Sequence, residues 1–331
     1  MRRALLIWSA LAAAALGAFV FALVTGSSQA PGFDAIQALF SADDNLTREI
    51  VTKLRLPRAL AAFAVGGLLA LAGALMQILL RNPLADPYVL GLSGGAAVGA
   101  LAAMLAGLGV LAVNLGAGLG ALAAILLVFT IARRDFARGQ RLGAFDASPR
   151  LLLTGVVLAA GWGAVITLML TLAPEARLRG MLFWLMGDLN GAQSWAPALF
   201  ALALILAGAY PFARDLNVLL RGEAQAHALG VRVASLRRMI YLFASLATAL
   251  AVTTAGAIGF IGLVVPHALR LMLGNDQRVL LPACALGGGT LLLVADTVAR
   301  SAFAPLQLPV GVITALIGVP AFIFMLTRGK T

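Results

Sequence analysis

The chain has 331 residues, 62% of them hydrophobic and only 11% charged, where a soluble domain runs nearer about 45–50% and 25%. That balance excludes a soluble two-domain protein, a disordered chain and a disulfide scaffold, and at roughly 20 apolar residues per span it allows roughly ten membrane-spanning helices. The net charge of +11 does not call for a nucleic acid. Its basic residues sit in short breaks between apolar runs, as in Arg133-Arg134, Arg138–Arg141 and Arg237-Arg238, which is what the positive-inside bias produces.

Taken in chain order, Met1-Arg2-Arg3 precedes an apolar stretch from Ala4 to Val24 in which Ser9 is the one polar residue. It is longer than a signal-peptide core and reads as a first transmembrane helix rather than a cleaved leader. Further apolar runs lie near 58–80, 91–108, 112–132, 151–172, 194–213, 239–257, 258–272, 279–297 and 309–327. The break at Gly107–Leu111 is short, and the stretch from Met239 to Leu273 is divided near Gly256–Gly259. With a cytoplasmic N-terminus, ten spans place 17 of the 24 Lys and Arg inside and 7 outside, whereas the reversed topology breaks the charge rule. The expectation is an all-α integral membrane protein of about ten transmembrane helices with both termini cytoplasmic. Residues 1–331 are expected to form a single transmembrane domain, with 214–238 a cytoplasmic loop within it.

The outer segment Thr25–Lys53 is acidic, and a second outer stretch, Ala173–Ser194, holds an apolar patch at Met181–Met186 that fits a short surface or re-entrant helix. Pairs such as Gly66-Gly67 and Gly94-Gly95 allow helices to approach closely in lipid. The break Arg81-Asn82-Pro83-Leu84-Ala85-Asp86-Pro87 is a rigid nonhelical turn, tolerated at membrane depth only beside protein or a water-filled cavity. The loop ending at Arg237-Arg238 has amphipathic pieces around Gly222 and Gly230. They suit two short helices facing a cytoplasmic partner, or an amphipathic segment lying on membrane lipid. Cys284 is the single cysteine, His227 and His267 are the only histidines, and no metal site or cofactor is expected. No GxxxxGK[ST] phosphate loop is present, so an ATP-driven protein of this kind must borrow its nucleotide site.

Five segments then occur in one order: Arg55-Leu56-Pro57-Arg58, the RNPLADPYVLG turn, EAQAHALG, GAIGFIGLVVPH at 256–267 and LPVGVITALIGVP at 308–320. Together they resemble the permease subunits of bacterial type II ABC importers, the FecCD/BtuC-like family that carries cobalamin, haem and ferric siderophores. The resemblance runs from about Leu54 to the C-terminus. It implies a transporter subunit rather than an enzyme, placed in the bacterial inner membrane. It also implies a homodimer with two cytoplasmic ATPase subunits, which bind the ATP and Mg, and a periplasmic substrate-binding protein.

By the same resemblance Arg55, Arg58 and Arg300 match the outer arginines that dock the binding protein. Asn82, Pro83 and Leu84 match part of the cytoplasmic gate. A second gate element falls on Ser148 and Pro149, where the cobalamin permease has two hydroxyl residues and this chain departs with a proline. Arg221, Glu223, Ala226, Leu229, Gly230 and Arg232 match the segment that couples to the ATPase. Two other patterns carry less. Gly91-Leu92-Ser93-Gly94 with distant His267 mimics an intramembrane serine protease, and Asp296 could couple ions in a secondary transporter, although Arg300 one turn on offers it a helical partner.

Overall fold

The computed structural model describes residues 2–26, 37, 46–137, 149–191 and 195–328. Among these every regular element is helical. Seven helices are long and apolar enough to cross a membrane. They include α1 (Arg2–Val24) and α2 (Leu46–Leu79), which changes to π geometry at Ile50–Arg55. The others are α4 (Val110–Ala137), α5 (Pro149–Thr171), α7 (Trp195–Ala209), which runs on through one tight turn into the short α8 (Ala213–Leu219), α10 (Val233–Ala255) and α12 (Gln277–Ser301). Three shorter apolar helices are α3 (Leu92–Leu105), α11 (Ile261–Leu273) and α13 (Val310–Arg328), the last apolar as far as Met325. At 1.5 Å per residue α3 and α11 reach only about 20 Å, less than the roughly 30 Å hydrocarbon layer. Two further helices, α6 (Glu175–Met186) and α9 (Glu223–Ala228), lie in connections.

The centre of the molecule is α2, buried from Ala59 to Leu79 apart from two residues and packed by α12, α10, α7 and α11. The sequence allows this because α2 is built from Ala, Gly and Leu. Apolar contact alone drives nothing in lipid, so association rests on close packing of small residues. Gly66 of α2 faces Gly288 of α12 with no room for a Cβ on either. The antiparallel pair α3/α4 closes the same way, Gly95 and Gly99 meeting Gly120 and Gly116. Each member of that pair carries a G-x-x-x-G spacing, which places both glycines on one helical face.

Three boundaries differ from the sequence reading. The polar segment expected to run to Lys53 is already helical from Leu46, where Lys53 and Glu49 pair one turn apart at 2.6 Å; Pro57 is accepted because the helix re-registers there, leaving it in a first turn. The run expected from Met239 begins at Val233, since Arg237 folds inward and is buried. The outer patch at 181–186 is the second half of the longer α6, which starts after Pro174. The division near 256–259 is present: the chain leaves α10 at Gly256 (φ 68°) and enters α11 through Phe260 (φ 70°).

Candidate functional site

At the outer end α2, α12 and two loops meet in a charged cluster. Arg58 donates from Nε and Nη2 to both oxygens of Asp296, the closest at 2.7 Å, and from Nη1 to Asn190 and Gln307 at 2.5 and 3.1 Å. Asp296 is buried, and Arg300 Nε stands 3.9 Å from it. Arg300 Nη2 donates to the carbonyl of Ala22, while Arg55 Nη1 donates to those of Leu23 and Val24 at 2.6 and 3.3 Å. The last carbonyls of α1 have no intrahelical donors, and two guanidinium groups satisfy them at the negative end of the helix dipole. The three arginines matched to docking therefore do not stand free on the outer surface. Arg55 and Arg300 are buried caps of α1, and Arg58 is the partner of a buried carboxylate. Sequence reading paired Asp296 with Arg300, a contact present at 3.9 Å, but missed Arg58 as its bidentate partner and the capping of α1.

At the inner end α2 stops in a Schellman turn: Asn82 N–H donates to Gln77 O and Arg81 N–H to Ile78 O. Glycine is usual at the left-handed position of that turn, yet here it is Arg81, with φ 47°. Asn82 Oδ1 accepts from Leu84 N–H at 2.9 Å, and Asn82, Pro83 and Leu84 are exposed. Asp86 then caps a short 3-10 turn, Pro87–Leu90, by accepting from Tyr88 N–H at 2.8 Å. Burial pushes the Asp86 carboxyl up to about 6, with that hydrogen bond pulling the other way. The turn is fastened to the α10–α11 break: the Tyr88 hydroxyl donates to Ile258 O and accepts from Ile258 N–H, both at 3.1 Å. Gln77, one turn before Arg81, donates to the carbonyls of Gly262 and Leu263 and accepts from Arg270. Of the second gate element, Ser148 lies outside the described residues and Pro149 begins α5.

The cytoplasmic loop is two short helices, as the glycines suggested, joined at Gly222 (φ 129°). Its N-terminal half is tied to α12. Asn217 donates to Asp276 Oδ1 at 2.8 Å and accepts from Gln277 N–H at 2.8 Å, and Asp276 also accepts from Arg278 N–H at the helix N-terminus. The Arg278 guanidinium, first among its donors, holds the Asp276 carboxyl well below the usual range. Arg221, Leu229, Gly230 and Arg232 are exposed, so four of the six matched residues lie on the surface. Two do not. Ala226 is packed into the core, and Glu223 is turned inward, its Oε1 lying 3.1 Å from Arg237 and 3.6 Å from Arg81. Gly230 also has a local reason to be glycine, because it closes α9 in a second Schellman turn with φ 79°.

A cavity of about 1300 Å³ opens between α4, α6, α7 and α10. Leu111, Leu115 and Leu119 form one apolar wall, and Arg177, Arg179 and Asp188 edge it. No group of three His, Cys, Asp or Glu that could hold a metal occurs among the described residues. The His267 ring stacks edge-on against Phe322, and no bond joins it to Ser93 among the described residues. Asp296 is already engaged by Arg58. The geometry thus supports neither a serine–histidine pair nor an open ion-coupling carboxylate.

A buried small-residue helix core with seven helices long and apolar enough to cross a membrane defines a polytopic membrane protein. The sequence profile of the FecCD transport family matches residues 13–328, and the chain belongs to that family, whose members are permeases of ABC importers. It is 45% identical over 281 residues to the cobalamin import system permease protein BtuC of Halobacterium salinarum, covering 84% of this chain and 73% of that one. It is 41% identical to the vitamin B12 import system permease protein BtuC of Klebsiella pneumoniae, covering 85% and 83%. Among solved structures, a metal-chelate type ABC transporter in an inward-facing conformation superposes with a TM-score of 0.84 at 29% identity, over 97% of this chain and 99% of that one.

Proposed function

We propose that this chain is the permease subunit of an ATP-driven importer of cobalamin. It works as a homodimer of ten-span subunits with cytoplasmic termini in the inner membrane, joined by two ATPase subunits inside and a substrate-binding protein outside. The observation that carries the reading is the 41–45% identity, over 84–85% of the chain, to permeases named for cobalamin or vitamin B12 import. Two features support the assembly. The apolar faces of α5 and α13, exposed at Leu153, Val157, Leu168, Leu316 and Ile323, offer a surface for the second copy. The exposed Arg221, Leu229 and Arg232 offer one for the ATPase.

Alternating access assigns separate tasks to the two ends. The Asn82–Leu84 turn closes the cytoplasmic side. ATP with Mg in the partner ATPase supplies the work, which enters through the loop. The outer arginines act on docking indirectly, by fixing α1, α2 and α12 as the rigid floor beneath the binding protein.

The test is the assembled complex in proteoliposomes, offered cobalamin, haem and a ferric siderophore in turn through the cognate binding protein. ATP-dependent uptake of cobalamin at least tenfold above the other two is expected. Preference for haem or a siderophore overturns the substrate, and uptake that persists without the ATPase but collapses with an uncoupler overturns the importer reading.

A further inference from the structure

The cytoplasmic loop has one half bonded to α12 and another half that carries Glu223. α8 is bolted to α12 through Asn217 and Asp276. After Gly222, with φ 129°, α9 begins at Glu223, a residue that reaches two elements at once. One is Arg81, the last residue before Asn82, Pro83 and Leu84. The other is Arg237, buried in the first turns of α10. Both cations share the single oxygen Oε1, so a displacement of α9 moves one acceptor seen by two helices.

Arg81 supplies an independent observation. A non-glycine residue in the left-handed region is held there only when its surroundings compensate, and the Schellman turn that ends α2 would form more readily with glycine. What arginine adds at this position is a guanidinium group that meets Glu223. The strained backbone and the ion pair thus occur on the same residue, one position from the proposed gate. The preceding turn of α2 carries Gln77, bonded to α11 and to Arg270, so a pull on Arg81 is also felt by α11.

We propose that Glu223 is a positioning residue inside the permease rather than a contact of the ATPase: its carboxylate clasps Arg81 and Arg237, transmitting movement of α9 to the Asn82–Leu84 turn. This rests on the importer reading above.

The experiment uses the full complex with its ATPase and binding protein in proteoliposomes, and measures ligand moved per ATP hydrolysed together with melting temperature. Arg81→Gly relieves the backbone while removing the cation. It should melt no lower than the parent yet lose at least fivefold in ligand per ATP, with hydrolysis changed less than twofold. Glu223→Gln should give the same uncoupling, and Arg81→Lys, which keeps the charge, should retain most of the parent's ligand moved per ATP. Arg81→Gly and Glu223→Gln variants that both transport within twofold of the parent overturn the clasp while leaving the importer reading intact. So does a lower melting point matched by proportional loss of assembled complex, because the pair is then merely structural. Absence of any ATP-dependent uptake by the parent complex overturns the importer reading itself.

Discussion

The two ends of α2 carry ion clusters of opposite character. The outer one joins Arg58 and Asp296 through both carboxylate oxygens, with the acid buried and the arginine nearly so. The inner one joins Arg81, Glu223 and Arg237 through one oxygen, at 3.1 and 3.6 Å, with Glu223 and Arg81 partly exposed. A bidentate desolvated pair has one good geometry and resists movement. A shared, partly solvated oxygen tolerates several geometries at small cost. The fold is locked at the N-terminal end of α2, at Arg58, and able to shift at its C-terminal end, at Arg81.

The largest effect should come from breaking the outer lock. Arg58→Ala leaves Asp296 buried with only Arg300, 3.9 Å away, as a cation, so stability should fall by about 3–5 kcal/mol. Pairing Arg58→Met with Asp296→Leu should recover most of that. Thermal unfolding of the detergent-solubilised protein reads both, and a single variant no less stable than the parent would show the cluster is not a lock.

The next effect sharpens the division within the inner loop. Asp276→Ala removes the N-cap of α12 and the partner of Asn217 at once, and should cost about 1–2 kcal/mol. It should also raise proteolytic cleavage within α8 while sparing α9. Equal cleavage of both helices would remove the distinction between the fixed and the tethered half.

A smaller effect is pH dependence at the gate turn. Asp86 is harder to ionise in the folded protein, so the stability it contributes is fully present below the ordinary carboxylate range and is lost as pH rises through about 6. Melting temperature should therefore be higher at pH 5 than at pH 7.5, by an amount equivalent to about 1–2 kcal/mol once solvent screening is allowed for. Asp86→Asn keeps an N-cap acceptor but cannot ionise, and should flatten that dependence. The smallest change in stability should be that of Glu223→Gln, under about 1 kcal/mol, despite its large effect on coupling. A loss as great as that of Arg58→Ala would make the two ends alike.

The apolar runs were legible in the sequence because each helix in hydrocarbon must satisfy its own backbone and show lipid a continuous apolar surface. The same local logic made Gly107, Gly222, Gly230 and the 256–260 break readable as stops. It also exposed the Asn82–Leu84 turn through Pro83 within it and Pro87 three residues beyond. What each arginine does was not legible. Arg58 and Asp296 stand 238 positions apart, and Arg300 reaches back to the end of α1. By the family resemblance Arg55 and Arg300 read as docking cations on the outer surface, and Glu223 as an exposed contact.

The sequence by itself determined that the chain lives in a membrane, where its helices break, which side its charges favour and which family it resembles. Only the tertiary structure decided which charges face inward. Hydrophobicity is a property summed along a segment, whereas the partner of a buried charge is chosen by how helices distant in sequence cross. That crossing is set by where small residues such as Gly66 and Gly288 let two backbones touch.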